Sequence, residues 1–197
     1  MVFPKFSPPS DRIPESSTLD LVLAQDGDAL AFRRFVIATE VDVRRFCAWL
    51  CRPGSDLDDL VQETYVRAFR GLASFRSESS GRSWLLTIAR RVCADHVKRL
   101  ARDRRNLSAV AEISEPVNCN SDFVDAVSEV NNLSPIHREA FVLVSVLGFT
   151  YQEAADILGC PRGTVQSRVA RARQELIERT TESARTATPR STPFSTA

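Results

Sequence analysis

The chain has 197 residues, 43% of them hydrophobic, and a formal net charge of only +1. That is apolar material for one or two small cores and too little net charge for a uniformly basic nucleic-acid coat. There is no apolar run of about 18 residues to span a bilayer and no apolar leader in the Pro- and Ser-rich start, so a cytoplasmic protein without membrane insertion is expected.

Residues 1–24 are expected to be a disordered N-terminal extension, and residues 25–105 a first helical domain. A helix from about Asp28 to Trp49 shows a broad apolar face of Leu30, Phe32, Phe35, Val36, Val43, Phe46 and Leu50. Arg52-Pro53-Gly54-Ser55 breaks it, and Asp56 or Asp58 can cap the next helix. That helix, Asp58 to Arg70, reads DDLVQETYVRAFR, with Val61, Tyr65, Ala68, Phe69 and Leu72 as its buried stripe. Its other face carries Asp59, Leu60, Glu63, Val66, Arg67 and Arg70, which puts two aliphatic side chains among charges. A plain solvated face and a docking face for a partner helix fit this pattern equally.

The loop GLASFRSESSG, residues 71–81, holds one aromatic, Phe75. A solvated connector is the simpler reading, and a receiver for an unstacked base the alternative. A third helix is expected from near Ser83 to about Leu100, with Leu85, Ala89, Val92, Cys93, His96 and Leu100 inward. Thr87, Arg91, Ala94, Lys98 and Arg102 form a basic outer strip with Arg90 beside it, suited to phosphates. Residues 106–124 lose helical periodicity and read as a flexible linker.

Residues 125–179 form the second domain. Thr150 and Glu153 make a capping box, Gly159 suits a left-handed C-cap, and Pro161 suits the first turn of the next helix. Together they spell a helix-turn-helix. In its second helix Val165, Val169, Ala172 and Leu176 face inward. Thr164, Ser167, Ala170, Arg171 and Gln174 face out, with Gln166 and Arg173 on one flank and Arg168 on the other. Small residues at 167 and 170 let the backbone approach a groove, and arginine reaches a guanine edge or a phosphate. The Ser- and Thr-rich residues 180–197 are expected to be a disordered tail.

The fold class is therefore all-α: two small helical domains joined by a flexible linker. Basic charge gathers in residues 82–105 and 162–179, which implies two DNA contacts. With two histidines, no nucleophile paired with a base and no phosphate-binding glycine loop, catalysis is not expected, nor is a cofactor or metal. The five cysteines form no disulfide framework. Cys47 and Cys51, one helical turn apart, are read as buried structural thiols in preference to metal ligands or oxidant sensors.

DDLVQETYVRAF, then SWLLTIARRVCADHVKR, then LSPIHREAFVLVSVLGFTYQEAADILGCPRGTVQSRVARAR, in this order and over residues 25–178, resemble an extracytoplasmic-function (ECF) sigma factor of the sigma-70 family. The resemblance implies a first domain, sigma2, that binds the beta-prime clamp helices of core RNA polymerase and opens the minus-ten promoter element. It implies a second, sigma4, that docks on the beta flap and reads the minus-thirty-five element. It gives Asp59, Leu60, Gln62, Glu63 and Arg67 the polymerase-docking role and makes Phe75 and Arg76 candidates for minus-ten recognition. Arg90, Arg91 and Lys98 would hold adjacent DNA. Gln166, Ser167, Ala170 and Arg171 would read bases, Arg168 would take a phosphate, and Thr164 lies on the same DNA-facing side. An anti-sigma factor commonly restrains members of this family, and one is expected here. The alternatives from other classes are a stand-alone regulator with a LuxR-like helix-turn-helix and a redox sensor working through Cys47 and Cys51.

Overall fold

The computed structural model describes residues 16–51, 56–106 and 129–186, and every regular element among them is helical. In chain order these are α1 (Ser16–Gln25), α2 (Ala29–Leu50), α3 (Leu57–Gly71), a 3-10 turn (Leu72–Ser74) and α4 (Gly81–Asn106). They are followed by α5 (Pro135–Phe141), a π-helical turn (Val142–Val146), α6 (Tyr151–Leu158) and α7 (Arg162–Thr186). The expected linker lies almost wholly outside the described residues, as does the tail beyond Thr186.

The helix starts are capped as the sequence implies. The Asp28 carboxylate accepts from the Leu30 and Ala31 N–H groups at 2.9 and 3.1 Å. Asp56 caps α3, with Asp58 and Asp59 in the first turn complementing the helix dipole. Helix α4 begins two residues earlier than Ser83 because the Ser80 hydroxyl accepts from the Ser83 N–H at 3.1 Å and so acts as the cap. Phe35, Val43, Phe46, Leu85, Leu86 and Ala89 are fully buried and form the centre of the first domain.

Helix α1 corrects the expected disordered extension over residues 16–24, while residues 1–15 lie outside the described residues. Ser17, Leu21 and Ala24 are buried, an i, i+4, i+7 stripe obscured in the sequence by a serine and by the more frequent but exposed Leu19 and Leu23. Gln25, at its end, donates to the carbonyls of Leu72 and Phe75, both at 2.8 Å. Gly81 makes the packing of α1 feasible: a Cβ there would stand 2.8 Å from Leu21 Cδ1 and 3.3 Å from Phe35 Cε2.

Other departures concern which side chains the helices bury. Leu30 is 66% exposed and Phe69 63%, although the helical period places both on apolar faces. Phe69 instead lies edge-on to Phe32, ring centroids 5.2 Å apart, at the rim of the α2–α3 packing. His96 is half-buried and not a core residue; burial and the nearby Arg99 guanidinium hold its pKa below the ordinary imidazole value. Helix α7 continues past the expected boundary at 179, since no glycine or proline interrupts the chain before Pro189.

Candidate nucleic-acid interface

The helix-turn-helix is built as the sequence spells it. Thr150 Oγ1 accepts from the Glu153 N–H at 3.2 Å, and Glu153 returns a carboxylate oxygen to the Thr150 N–H at 2.8 Å. Gly159 ends α6 in the left-handed region at φ 64° and ψ 41°, a conformation a Cβ would strain. The Cys160 N–H then closes on the Ala155 carbonyl at 3.1 Å, and Thr164 N–H on that of Pro161 at 2.8 Å. Val165, Val169, Ala172 and Leu176 are buried. The His137 Nδ1 and a Glu175 carboxylate oxygen, 2.6 Å apart, join α5 to α7 and help fix the angle at which α7 is presented.

Gln166, Ser167, Ala170 and Arg171 are all exposed on one face of α7. Ser167 spends its hydroxyl proton on the Thr164 carbonyl at 2.9 Å, which leaves its oxygen to act only as an acceptor on that face. Thr164 and Arg168 are half-buried. Arg168 reaches back towards the Cys160 sulfur at 3.7 Å, so its guanidinium flanks the turn.

In the first domain, Asp59 and Gln62 are exposed and Glu63 is half-exposed on one side of α3. Leu60 does not join them. It is 4% exposed and points into the core, because α3 is rotated so that Leu60, Val61, Thr64 and Ala68 pack inward together. The exposed apolar side chains on α3 are instead Phe69 and, half-exposed, Val66. With Phe32, Gln62, Tyr65 and Arg70 they line an open groove of about 530 Å³. Sequence reasoning missed Phe32 and Phe69; the apolar pattern alone does not separate a rim aromatic from a core one. Arg67 bridges Glu63 and Asp95, both at 2.7 Å. Donation to these two carboxylates raises the Arg67 pKa and, in return, holds the Asp95 carboxyl below its ordinary range.

The loop candidates divide. Phe75 is 5% exposed and packs on Trp84, ring centroids 5.2 Å apart, so it anchors the loop and presents no free face to a base. Arg76 is exposed, next to Ser77 at a positive φ of 56°.

On α4, Arg91 and Lys98 are exposed, whereas Arg90 pairs with Glu139 of α5 at 2.9 Å. The second domain thus rests on the first, and Arg82 is the centre of the contact. Its Nε donates to Asp42 at 2.6 Å, a terminal nitrogen donates to the Leu147 carbonyl at 2.9 Å, and its guanidinium carbon lies 3.8 Å from the Phe149 ring centroid. Arg138 adds a 3.5 Å bond to the Trp49 carbonyl. Cys47, Cys51 and Cys93 are buried, and no group of His, Cys, Asp and Glu among the described residues is arranged to hold a metal ion.

These features define a two-domain helical protein with an exposed helix-turn-helix face on one domain and a mixed acidic and apolar face on the other. Residues 36–103 match sigma-70 region 2 and residues 126–176 match sigma-70 region 4. The ECF RNA polymerase sigma factor SigC of Mycobacterium tuberculosis is 39% identical over 169 residues, covering 83% of this chain and 90% of that protein. The ECF RNA polymerase sigma-E factor of Escherichia coli is 31% identical over 172 residues, covering 77% and 87%. Among solved structures, the sigma factor RpoE of Bartonella quintana in complex with the anti-sigma factor NepR superposes with a TM-score of 0.68 at 32% identity, covering 75% of this chain and 94% of that one. CnrH in complex with the cytosolic domain of CnrY gives 0.67 at 26%, covering 85% and 98%. The chain belongs to the sigma-70 family and is an ECF-type sigma factor, a transcription initiation factor and not an enzyme. No helix among the described residues is long and apolar enough to cross a membrane.

Proposed function

We propose that this sigma factor acts in the cytoplasm, docks core RNA polymerase through the α3 face and places α7 on the minus-thirty-five element. One observation supports this most: a single chain exposes Asp59 and Gln62 on α3 beside the Phe32–Phe69 groove, and Gln166, Ser167, Ala170 and Arg171 on α7. The docking set is Asp59, Gln62 and Glu63, with Val66 and Phe69 supplying the apolar contact first assigned to Leu60. Arg67 orients Glu63. Arg76, Arg91 and Lys98 take the minus-ten region, and Arg168 and Thr164 flank the α7 reading face.

Elements named minus-ten and minus-thirty-five lie about 25 base pairs apart, about 85 Å at ~3.4 Å per pair. A compact unit of this size spans only about 40 Å. Promoter binding therefore requires the two domains to part, breaking the Arg82–Leu147 and Arg90–Glu139 contacts and freeing Arg90 for the DNA backbone. An anti-sigma factor that binds the closed arrangement would hold the protein inactive. Transcription reconstituted from core polymerase and the purified protein tests the reading: starts at a subset of promoters silent with core alone are expected. Dimeric operator binding without association with core would refute it.

A further inference from the structure

Arg90 belongs to the basic strip of α4 but differs from the other cations assigned to DNA there. Arg91 and Lys98 are exposed and make no ion pair with another described residue. Arg90 Nε donates to a Glu139 carboxylate oxygen at 2.9 Å, from the first domain to α5 of the second. The side chains of the pair are 36% and 21% exposed. The guanidinium therefore lies at the rim of the contact between domains and not beneath it.

The second domain has other anchors. Arg82 holds it through the Leu147 carbonyl at 2.9 Å and the Phe149 ring at 3.8 Å, and Arg138 adds the Trp49 carbonyl at 3.5 Å. An ion pair at a partly exposed rim adds little stability to these. What Glu139 changes is the state of Arg90. A carboxylate takes the same guanidinium donors as a phosphate, through the same kind of charge-assisted hydrogen bond. With Glu139 in place, the Nε donor and the positive charge of Arg90 are engaged before any DNA arrives.

We propose that Glu139 is a built-in phosphate mimic, an autoinhibitory contact that occupies Arg90 in the free protein and lowers its affinity for the DNA backbone. Resting on the reading of Arg90 as a backbone contact, this gives the chain its own competitor for that contact, with no partner protein needed. Whatever draws the second domain off α4 uncovers Arg90 in the same movement that separates the two DNA-binding faces. The basic strip thus gains its third cation only in the open arrangement.

The test measures the affinity of the full-length protein for a fluorescein-labelled duplex of about 20 base pairs and arbitrary sequence, by anisotropy between about 50 and 200 mM salt. One added phosphate contact steepens the plot of log affinity against log salt by about 0.9. Glu139→Gln keeps the side-chain shape and removes its charge; it should show that increment and tighter binding at low salt, with Tm unchanged. In an Arg90→Ala background the increment should vanish, so that Arg90→Ala and the double variant share one slope. Asp26→Asn removes an equal charge from an exposed carboxylate in the turn before α2 that pairs with no described cation, and it should keep the wild-type slope. If Arg90→Ala already flattens the wild-type slope and Glu139→Gln gains nothing, the mask is overturned while Arg90 remains a DNA contact. Slopes indifferent to both substitutions would remove Arg90 from the DNA-binding set, and the mask with it. An equal gain in Asp26→Asn would reduce the effect to net charge and overturn the proposal as well.

Discussion

Arg82 and Phe149 join the two domains directly: the arginine, at the start of α4, lies with its guanidinium carbon 3.8 Å from the ring centroid of a residue just ahead of the helix-turn-helix. The same guanidinium neutralises Asp42, which is 9% exposed, at 2.6 Å. One side chain thereby serves the core of the first domain and the seat of the second.

Replacing Arg82 tests both duties. Arg82→Ala leaves a nearly buried carboxylate without its partner and removes the cation–π contact, with an expected loss of about 2–3 kcal/mol in chemical denaturation. Arg82→Ala combined with Asp42→Asn should recover part of that loss while the domains stay apart. Small-angle scattering should show a larger radius of gyration for both variants. An unchanged radius would mean that Arg82 does not hold the domains together.

Polymerase docking should depend on Glu63 more than on Leu60. Glu63→Ala is expected to weaken association with core polymerase by about tenfold, equivalent to ~1.4 kcal/mol, and to leave binding of the minus-thirty-five element by the second domain unaffected. Leu60→Ala should behave as a core truncation, costing about 2–4 kcal/mol of stability. Phe69→Ala should cost affinity for core with little loss of stability. Pull-down titrations alongside thermal melts separate the two behaviours.

For the recognition helix, Arg171→Ala should cost about 1–3 kcal/mol at the preferred minus-thirty-five sequence and relax the preference at one base position. Arg168→Ala should weaken binding to all sequences alike, since it flanks the turn. Competition binding across a panel of single-base variants reads both effects, and an unchanged preference in Arg171→Ala removes that residue from the reading set.

The Arg67–Asp95 pair makes a pH prediction. Donation from Arg67 lowers the Asp95 pKa in the folded protein, so the pair's contribution is present above the unfolded carboxylate value of about 3.9 and fades as pH falls through the folded one. Wild type should melt slightly above Asp95→Asn at pH about 6, and the gap should close by pH about 2–3. A gap that is constant across this range would show that the ion pair contributes nothing.

Much of this architecture can be read locally. The capping box at Thr150 and Glu153, the left-handed Gly159 and the apolar stripe from Val165 to Leu176 act over a few residues. Their outcome follows from hydrogen-bond geometry and helical period without knowledge of what surrounds them. The outward face of α7 was legible for the same reason. Leu60, Phe69 and Phe75 were not. The 3.6-residue period places a side chain on a helix face, but only the neighbouring helices decide how far burial extends around it, and α3 is turned far enough to bury Leu60 and expose Phe69. Phe75, isolated in a polar loop, becomes an anchor only because Trp84 folds back against it.

The sequence by itself determined the helical class of the described residues, the positions of their caps and turns, the helix-turn-helix and its exposed side chains, because these rest on short-range chemistry. Tertiary structure alone decided that α1 packs where the close approach to Gly81 admits it, and that Arg82 and Arg90 face the second domain. Those residues are 49 to 67 positions from their partners along the chain. No local propensity encodes such pairings; they follow from burying the apolar faces of all the helices at once.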